Sequence, residues 1–121
     1  MRYVLMICSE EHTHIGLSDE DHAALMKKYV AFQEEVEATL GEPPFGARLK
    51  SIETATSVRV RDGKTLITDG PFAETRERLG GFYIVEADNL DQVIEWASRT
   101  PQARVGTIEI RPVWEPEDYM P

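Results

Sequence analysis

Two short apolar blocks, at residues 3–8 and 82–85, carry hydrophobic side chains at successive positions rather than alternate ones. A strand directs successive side chains to opposite faces, so each block needs cover on both sides of the sheet it joins. That requirement is severe for a chain of 121 residues, which can build one core but not a second complete layer.

The remaining elements say what covers one side. Ser18 reads as a helix N-cap, with Asp19, Glu20 and Asp21 in the first turn, where the helix dipole favours negative charge. Leu25, Tyr29, Phe32, Val36 and Leu40 then form one apolar stripe, and Gly41 with Pro43-Pro44 stops the helix. A second helix opens at Asn89 with Gln92 as a capping pair and carries Leu90, Val93, Ile94 and Ala97 before Pro101. Ala47 and Leu49 alternate with Arg48 and Lys50, and Ile108 and Ile110 alternate with charged neighbours, as in half-buried strands. Between them Asp62-Gly63 predicts a two-residue hairpin, pairing Val58 with Ile67 and Val60 with Thr65.

The order is strand, helix, strand, hairpin, strand, helix, strand. Without the hairpin it is βαββαβ, an α+β ferredoxin-like plan with both helices on one face of an antiparallel sheet. The other face is left to be covered by a second copy, so the chain is expected to be a homodimer. Residues 1–112 form the single domain, and residues 113–121 an acidic, Pro-rich C-terminal tail. The loop at residues 9–17 is polar and reads as a surface loop.

Charge narrows the partners. Thirteen Lys and Arg stand against 22 Asp and Glu, a net charge of −9, which repels nucleic acid and anionic membrane surfaces. Cys8 is the only cysteine and lies in an apolar run, expected as a buried, inert thiol in a reducing compartment. No apolar run approaches membrane-spanning length, and the first apolar stretch is too short for a signal peptide, so the expected location is cytoplasmic.

The chemistry-bearing segment is Thr68-Asp69-Gly70-Pro71-Phe72-Ala73-Glu74-Thr75-Arg76-Glu77. Asp69 is expected to accept backbone N–H groups as an Asx-turn, while Pro71 excludes helical geometry at Gly70 and aims Phe72 at the core or a pocket wall. Glu74 and Arg76 add charge of both signs. It is not a phosphate loop, because the Gly-x-x-x-x-Gly-Lys pattern is missing. His22, in the first turn of helix one, is a candidate acid/base group. His12 and His14 are one residue apart, but a closed metal site needs three or four ligands, and neither a metal nor a cofactor is expected.

The run from Thr68 to Thr75, followed by Leu79-Gly80-Gly81-Phe82-Tyr83-Ile84, resembles the DGPF-domain branch of the YCII-related family. Val58-Arg59-Val60-Arg61-Asp62-Gly63-Lys64, Glu95-Trp96-Ala97 and Glu109-Ile110-Arg111-Pro112 extend the likeness. The resemblance implies a dimeric α/β-barrel fold with a cleft near the Asp69 turn, but no defined reaction. It also implies a setting beside extracytoplasmic-function sigma factors. Related proteins pair a histidine near the start of the first helix with an aspartate about a dozen residues on; here that place falls near Glu34. Arg76 stands where the family usually has lysine.

Two readings follow. In one, the chain is a cofactor-independent acid/base enzyme of isomerase or lyase type acting on a small anion. Asp69 and His22 would be catalytic, with Gly70, Pro71, Phe72, Glu74 and Arg76 binding substrate. In the other, it is a non-catalytic ligand-binding or accessory module in sigma-factor regulation.

Overall fold

The computed structural model describes residues 1–72 and 75–119. Its elements are β1 (Arg2–Ser9), α1 (Asp19–Leu40), β2 (Phe45–Arg48), β3 (Thr56–Arg61), β4 (Lys64–Asp69), β5 (Arg78–Glu86), α2 (Leu90–Arg99), β6 (Thr107–Pro112) and the short α3 (Pro116–Tyr119). Four strands form one antiparallel sheet in the order β2-β5-β1-β6, and β3 and β4 form a separate two-stranded ribbon. The crossovers β1-α1-β2 and β5-α2-β6 match the βαββαβ plan read from the sequence. Within one chain the sheet is open; it does not close into a barrel.

Local signals explain the boundaries. Ser18 Oγ accepts from the Asp21 N–H at 3.1 Å, and Gly41 ends α1 in the left-handed conformation at φ 83°. Asn89 Oδ1 caps α2 by accepting from the Gln92 N–H at 3.0 Å. The ribbon turns on Asp62 and Gly63, both at positive φ, in the register expected from the alternation: Val58 faces Ile67 and Val60 faces Thr65.

The core lies between the sheet and the two long helices. Tyr3, Leu5 and Ile7 of β1 and Tyr83 and Val85 of β5 meet Phe32, Val36, Val93, Trp96 and Ala97. α2 is turned so that Trp96 is buried while Leu90 and Ile94, expected on its apolar stripe, are about half exposed. The large indole removes more apolar surface from water than either aliphatic chain. The alternate residues Val4, Met6, Cys8, Phe82 and Ile84 face away from the helices and are only half-buried.

Two expectations are corrected. The second strand is Phe45–Arg48, earlier than the Ala47 to Lys50 alternation suggested, because Gly46 fits flat against β5. The polar loop after β1 is not a surface loop throughout. Its single turn Glu11–Thr13 is tied down by Gln102, whose Nε2 donates to Ser9 Oγ at 2.9 Å and Thr13 Oγ1 at 2.8 Å, and His14 is buried. At the other end, the Val113 N–H donates to Arg2 O, and Arg2 grips Glu115 with two nitrogens at 2.9 and 3.0 Å.

Candidate functional site

Strand alternation on β2 sends Phe45 and Ala47 to the open face and Gly46 and Arg48 towards the helices. There the N-terminal half of α1 passes over Gly46, Gly80 and Gly81. Between helix and sheet lies a cavity of about 310 Å³, at the lower end of ordinary ligand pockets. Leu25, Met26, Tyr29 and Gln33 form its roof and Ile7 and Tyr83 its floor. The upper half of the α1 stripe therefore walls a void, whereas its lower half, Phe32 and Val36, fills the core.

The glycines are required by contact. A Cβ on Gly46 would lie 2.4 Å from Phe82 O and 2.7 Å from the Tyr83 ring. A Cβ on Gly80 would lie 3.0 Å from the His14 ring, so the bare backbone makes room for the imidazole.

The polar lining is sparse. Among the described residues Arg48 is the one Arg or Lys side chain in the wall, and no carboxylate lines the cavity. Its Nη1 donates to His22 Nε2 at 2.9 Å, and its Nη2 donates to His14 O at 2.7 Å. That bond makes His22 Nε2 an acceptor, leaving the proton on Nδ1. Gln33 Nε2 donates to Tyr83 Oη at 2.8 Å, so the Tyr83 hydroxyl can still donate. His14 has 7% of its surface exposed, and its Nε2 is buried without a hydrogen-bond partner. Burial, reinforced by Arg48 and opposed by Glu11, lowers its pKa and keeps the ring neutral near pH 7. Burial raises the Tyr29 phenol, with Tyr83 beside it adding to the effect, and burial likewise raises Tyr83.

The residues singled out in the sequence fall into two groups. His22 is exposed on the first turn of α1 but joins the cavity through Arg48. Asp69 ends β4 opposite Thr56, exposed, and does not line the cavity. The expected Asx-turn does not form: no backbone N–H among the described residues bonds to its carboxylate. Instead the Gly70 N–H donates to Ala55 O at 2.7 Å, and Ser57 Oγ donates to Gly70 O at 2.7 Å. Gly70 sits at φ 98°, a conformation that glycine adopts without strain. Pro71 and Phe72 are exposed, Phe72 at 78%, and neither packs in the core. Glu74 lies outside the described residues. Arg76 Nε is 2.8 Å from Glu10 Oε1, and the neighbouring Glu11 accepts from Ser51 Oγ and the Ile52 N–H, both at 3.0 Å. The turn that presents His14 thus also holds the segment after Phe72. His12 and His14 diverge: His12 is exposed, 3.5 Å from Glu10, and no group of three His, Cys, Asp or Glu among the described residues is placed to hold a metal.

Arg48, Tyr29, Gln33 and Gln102 were not visible as site residues in the sequence, and His14 reads there only with His12 as a candidate metal ligand. The one available signal was the continuation of the Leu25-Tyr29 stripe by the polar Gln33 on a helix face turned towards the sheet.

A two-layer α+β domain with a ligand-sized cleft under its first helix is the class these features define. The chain belongs to the YCII-related domain family, whose profile matches residues 1–117. It is 34% identical over 116 residues to an uncharacterized protein of Rhizobium meliloti (strain 1021), covering 93% of this chain and 92% of the relative. No helix among the described residues is long and apolar enough to cross a membrane.

Proposed function

We infer that this chain is a DGPF-branch protein that binds a small organic anion in the α1/β2/β5 cleft and acts on it by cofactor-independent acid/base chemistry. The observation that carries the reading is the charge of the wall: among the described residues, one guanidinium and no carboxylate, in a chain of net charge −9. A planar guanidinium binds a carboxylate through two parallel hydrogen bonds. Arg48 takes the anion-binding part, and His22, held by Arg48, is the acid/base group beside it. Asp69, Gly70, Pro71, Phe72 and Arg76 lie outside the cleft wall, and the Arg76 contact with Glu10 at 2.8 Å ties their segment to the turn that precedes His14. The working unit is a homodimer paired through the sheet face of Val4, Met6, Phe82 and Ile84. Thermal-shift screening against small carboxylates tests the reading. A ligand at a hundred times its Kd stabilises by about 2.7 kcal/mol, and Arg48→Met should abolish the shift. No stabilisation by any small anion would reject it.

One observation favours the accessory reading. The β3-β4 ribbon leaves Val58, Val60 and Ile67 each about 60% or more exposed, and an isolated two-stranded ribbon is marginal in water. A partner such as an extracytoplasmic-function sigma factor would cover it. Binding of the purified sigma factor at moderate salt, lost in Val58→Asp and unaffected by Arg48→Met, would favour this role.

A further inference from the structure

His14 presents an unusual cost. Its Nε2 is sealed from solvent with no partner, and leaving a buried polar atom unpaired costs about 1–3 kcal/mol. A hydrocarbon ring of similar shape would avoid that cost. The fold also keeps Gly80 bare under the ring, where a Cβ would come within 3.0 Å of both Cε1 and Nε2. The imidazole lies in the cavity wall, and Arg48 is bonded to the backbone carbonyl of the same residue at 2.7 Å. Arg48 and the His14 ring therefore share one wall of the cavity, with Nε2 turned onto the Gly80 backbone.

We propose that ligand binding turns the His14 ring so that Nε2 meets the ligand, and that the cleft takes compact hydroxycarboxylates, with the carboxylate on Arg48 and a nearby hydroxyl on His14. This rests on the reading of the cleft as an anion site and adds the second polar group of its ligand. A hydroxyl both donates and accepts, so it satisfies Nε2 in either neutral tautomer. Elsewhere the wall combines apolar Ile7, Leu25, Met26 and Pro44 with the uncharged polar Tyr29, Gln33, Tyr83 and Gln102, which suits a neutral body rather than a second charge. At roughly 30 Å³ per water molecule, 310 Å³ corresponds to about ten waters. A ligand of about a dozen non-hydrogen atoms is of matching size.

The experiment compares 3-phenyllactate with 3-phenylpropionate, which share body and carboxylate and differ only in the hydroxyl. Calorimetric titration of the full chain should show the hydroxy acid binding about ten- to a hundredfold more tightly. In His14→Phe the two acids should bind alike, and in Arg48→Met both should be lost. In the unaltered protein the His14 imidazole nitrogen resonances should move with 3-phenyllactate and stay in place with 3-phenylpropionate, which keeps the test valid if His14→Phe fails to fold. Equal affinities, or a preference that survives in His14→Phe, overturn the role of His14 while leaving the anion cleft intact. Failure of both acids to bind overturns the cleft itself.

Discussion

Arg48 on the edge strand β2 donates to Nε2 of His22 on α1 over 2.9 Å, so one guanidinium fastens the exposed end of the helix to the sheet. The same side chain reaches His14 O with its other nitrogen. An acidic protein has concentrated a fixed positive charge where its longest helix roofs a void. The bond also settles the His22 tautomer.

Replacing Arg48 by methionine keeps an unbranched stem but removes both donors. The expected result is a folded protein whose melting temperature no longer responds to small carboxylates. His22 nitrogen resonances should also change, because the acceptor role of Nε2 ends. A carboxylate response equal to that of the unaltered chain would place the anion elsewhere.

His14 predicts a pH dependence of stability with a definite sign. Burial first, then Arg48, lowers its folded pKa below the unfolded value near 6.5, with Glu11 opposing. Above pH 6.5 both states hold a neutral ring and the site costs nothing in protons. As the pH falls below 6.5 the unfolded chain binds a proton that the folded chain refuses, so stability drops until the folded pKa is reached. The slope from this one group is at most about 1.4 kcal/mol per pH unit. Urea unfolding at pH 7.5 and 5.5 should show the loss, and His14→Gln should reduce it.

The frame of this protein was legible because its signals are local. Ser18, Gly41, Asn89 and the Asp62-Gly63 turn each fix their own boundary, and the alternation of Val58 and Val60 against Ile67 sets a register. The cleft was not legible for the opposite reason. His14, Arg48 and Gly80 are far apart in sequence and meet only because β2 and β5 pair next to the turn after β1. Asp69-Gly70-Pro71-Phe72 drew attention as a compact run of turn-forming residues. In the structure it is an exposed corner held at Gly70 by Ala55 O and the Ser57 hydroxyl, and the cavity lies elsewhere.

Gly46→Ala tests whether the cavity floor is close-packed beneath the void. The new methyl would meet Phe82 O at 2.4 Å, a backbone atom that cannot swing aside. Forcing a methyl into packed structure costs about 1–3 kcal/mol. A matching fall in unfolding free energy is expected, together with loss of the edge pairing of β2 in hydrogen exchange. An unchanged stability would mean that β2 can slide away from β5.

Gln102→Leu should be similarly costly for a different reason. Gln102 is 3% exposed, and its amide nitrogen donates to two hydroxyls, which lie 3.2 Å apart, with Thr13 Oγ1 also 2.7 Å from Glu10 O. Leucine restores the volume but strands acceptors on Ser9 and Thr13, worth about 1–3 kcal/mol. Because this cluster holds the turn bearing His14, the variant should also weaken carboxylate binding. Calorimetry that found stability reduced but binding intact would separate the turn from the cleft.

The open sheet face gives the last test. Val4, Met6, Cys8, Phe82 and Ile84 form an apolar surface turned away from the helices, with the exposed Phe45 ring 6.3 Å from Phe82 at its edge. If two copies pair through this face, Ile84→Glu places a charge inside the interface and should yield monomers in sedimentation. Cys8 supplies an independent readout. Its thiol is already raised by burial, with Glu109 and Glu77 adding to the effect, so alkylation near pH 7 is expected to be slow. Pairing would slow it further, whereas Ile84→Glu would uncover the sulfur and accelerate the reaction. In the unaltered chain the rate should rise on dilution through the dissociation range. A rate independent of concentration, with a monomer throughout, would leave this face to some other cover.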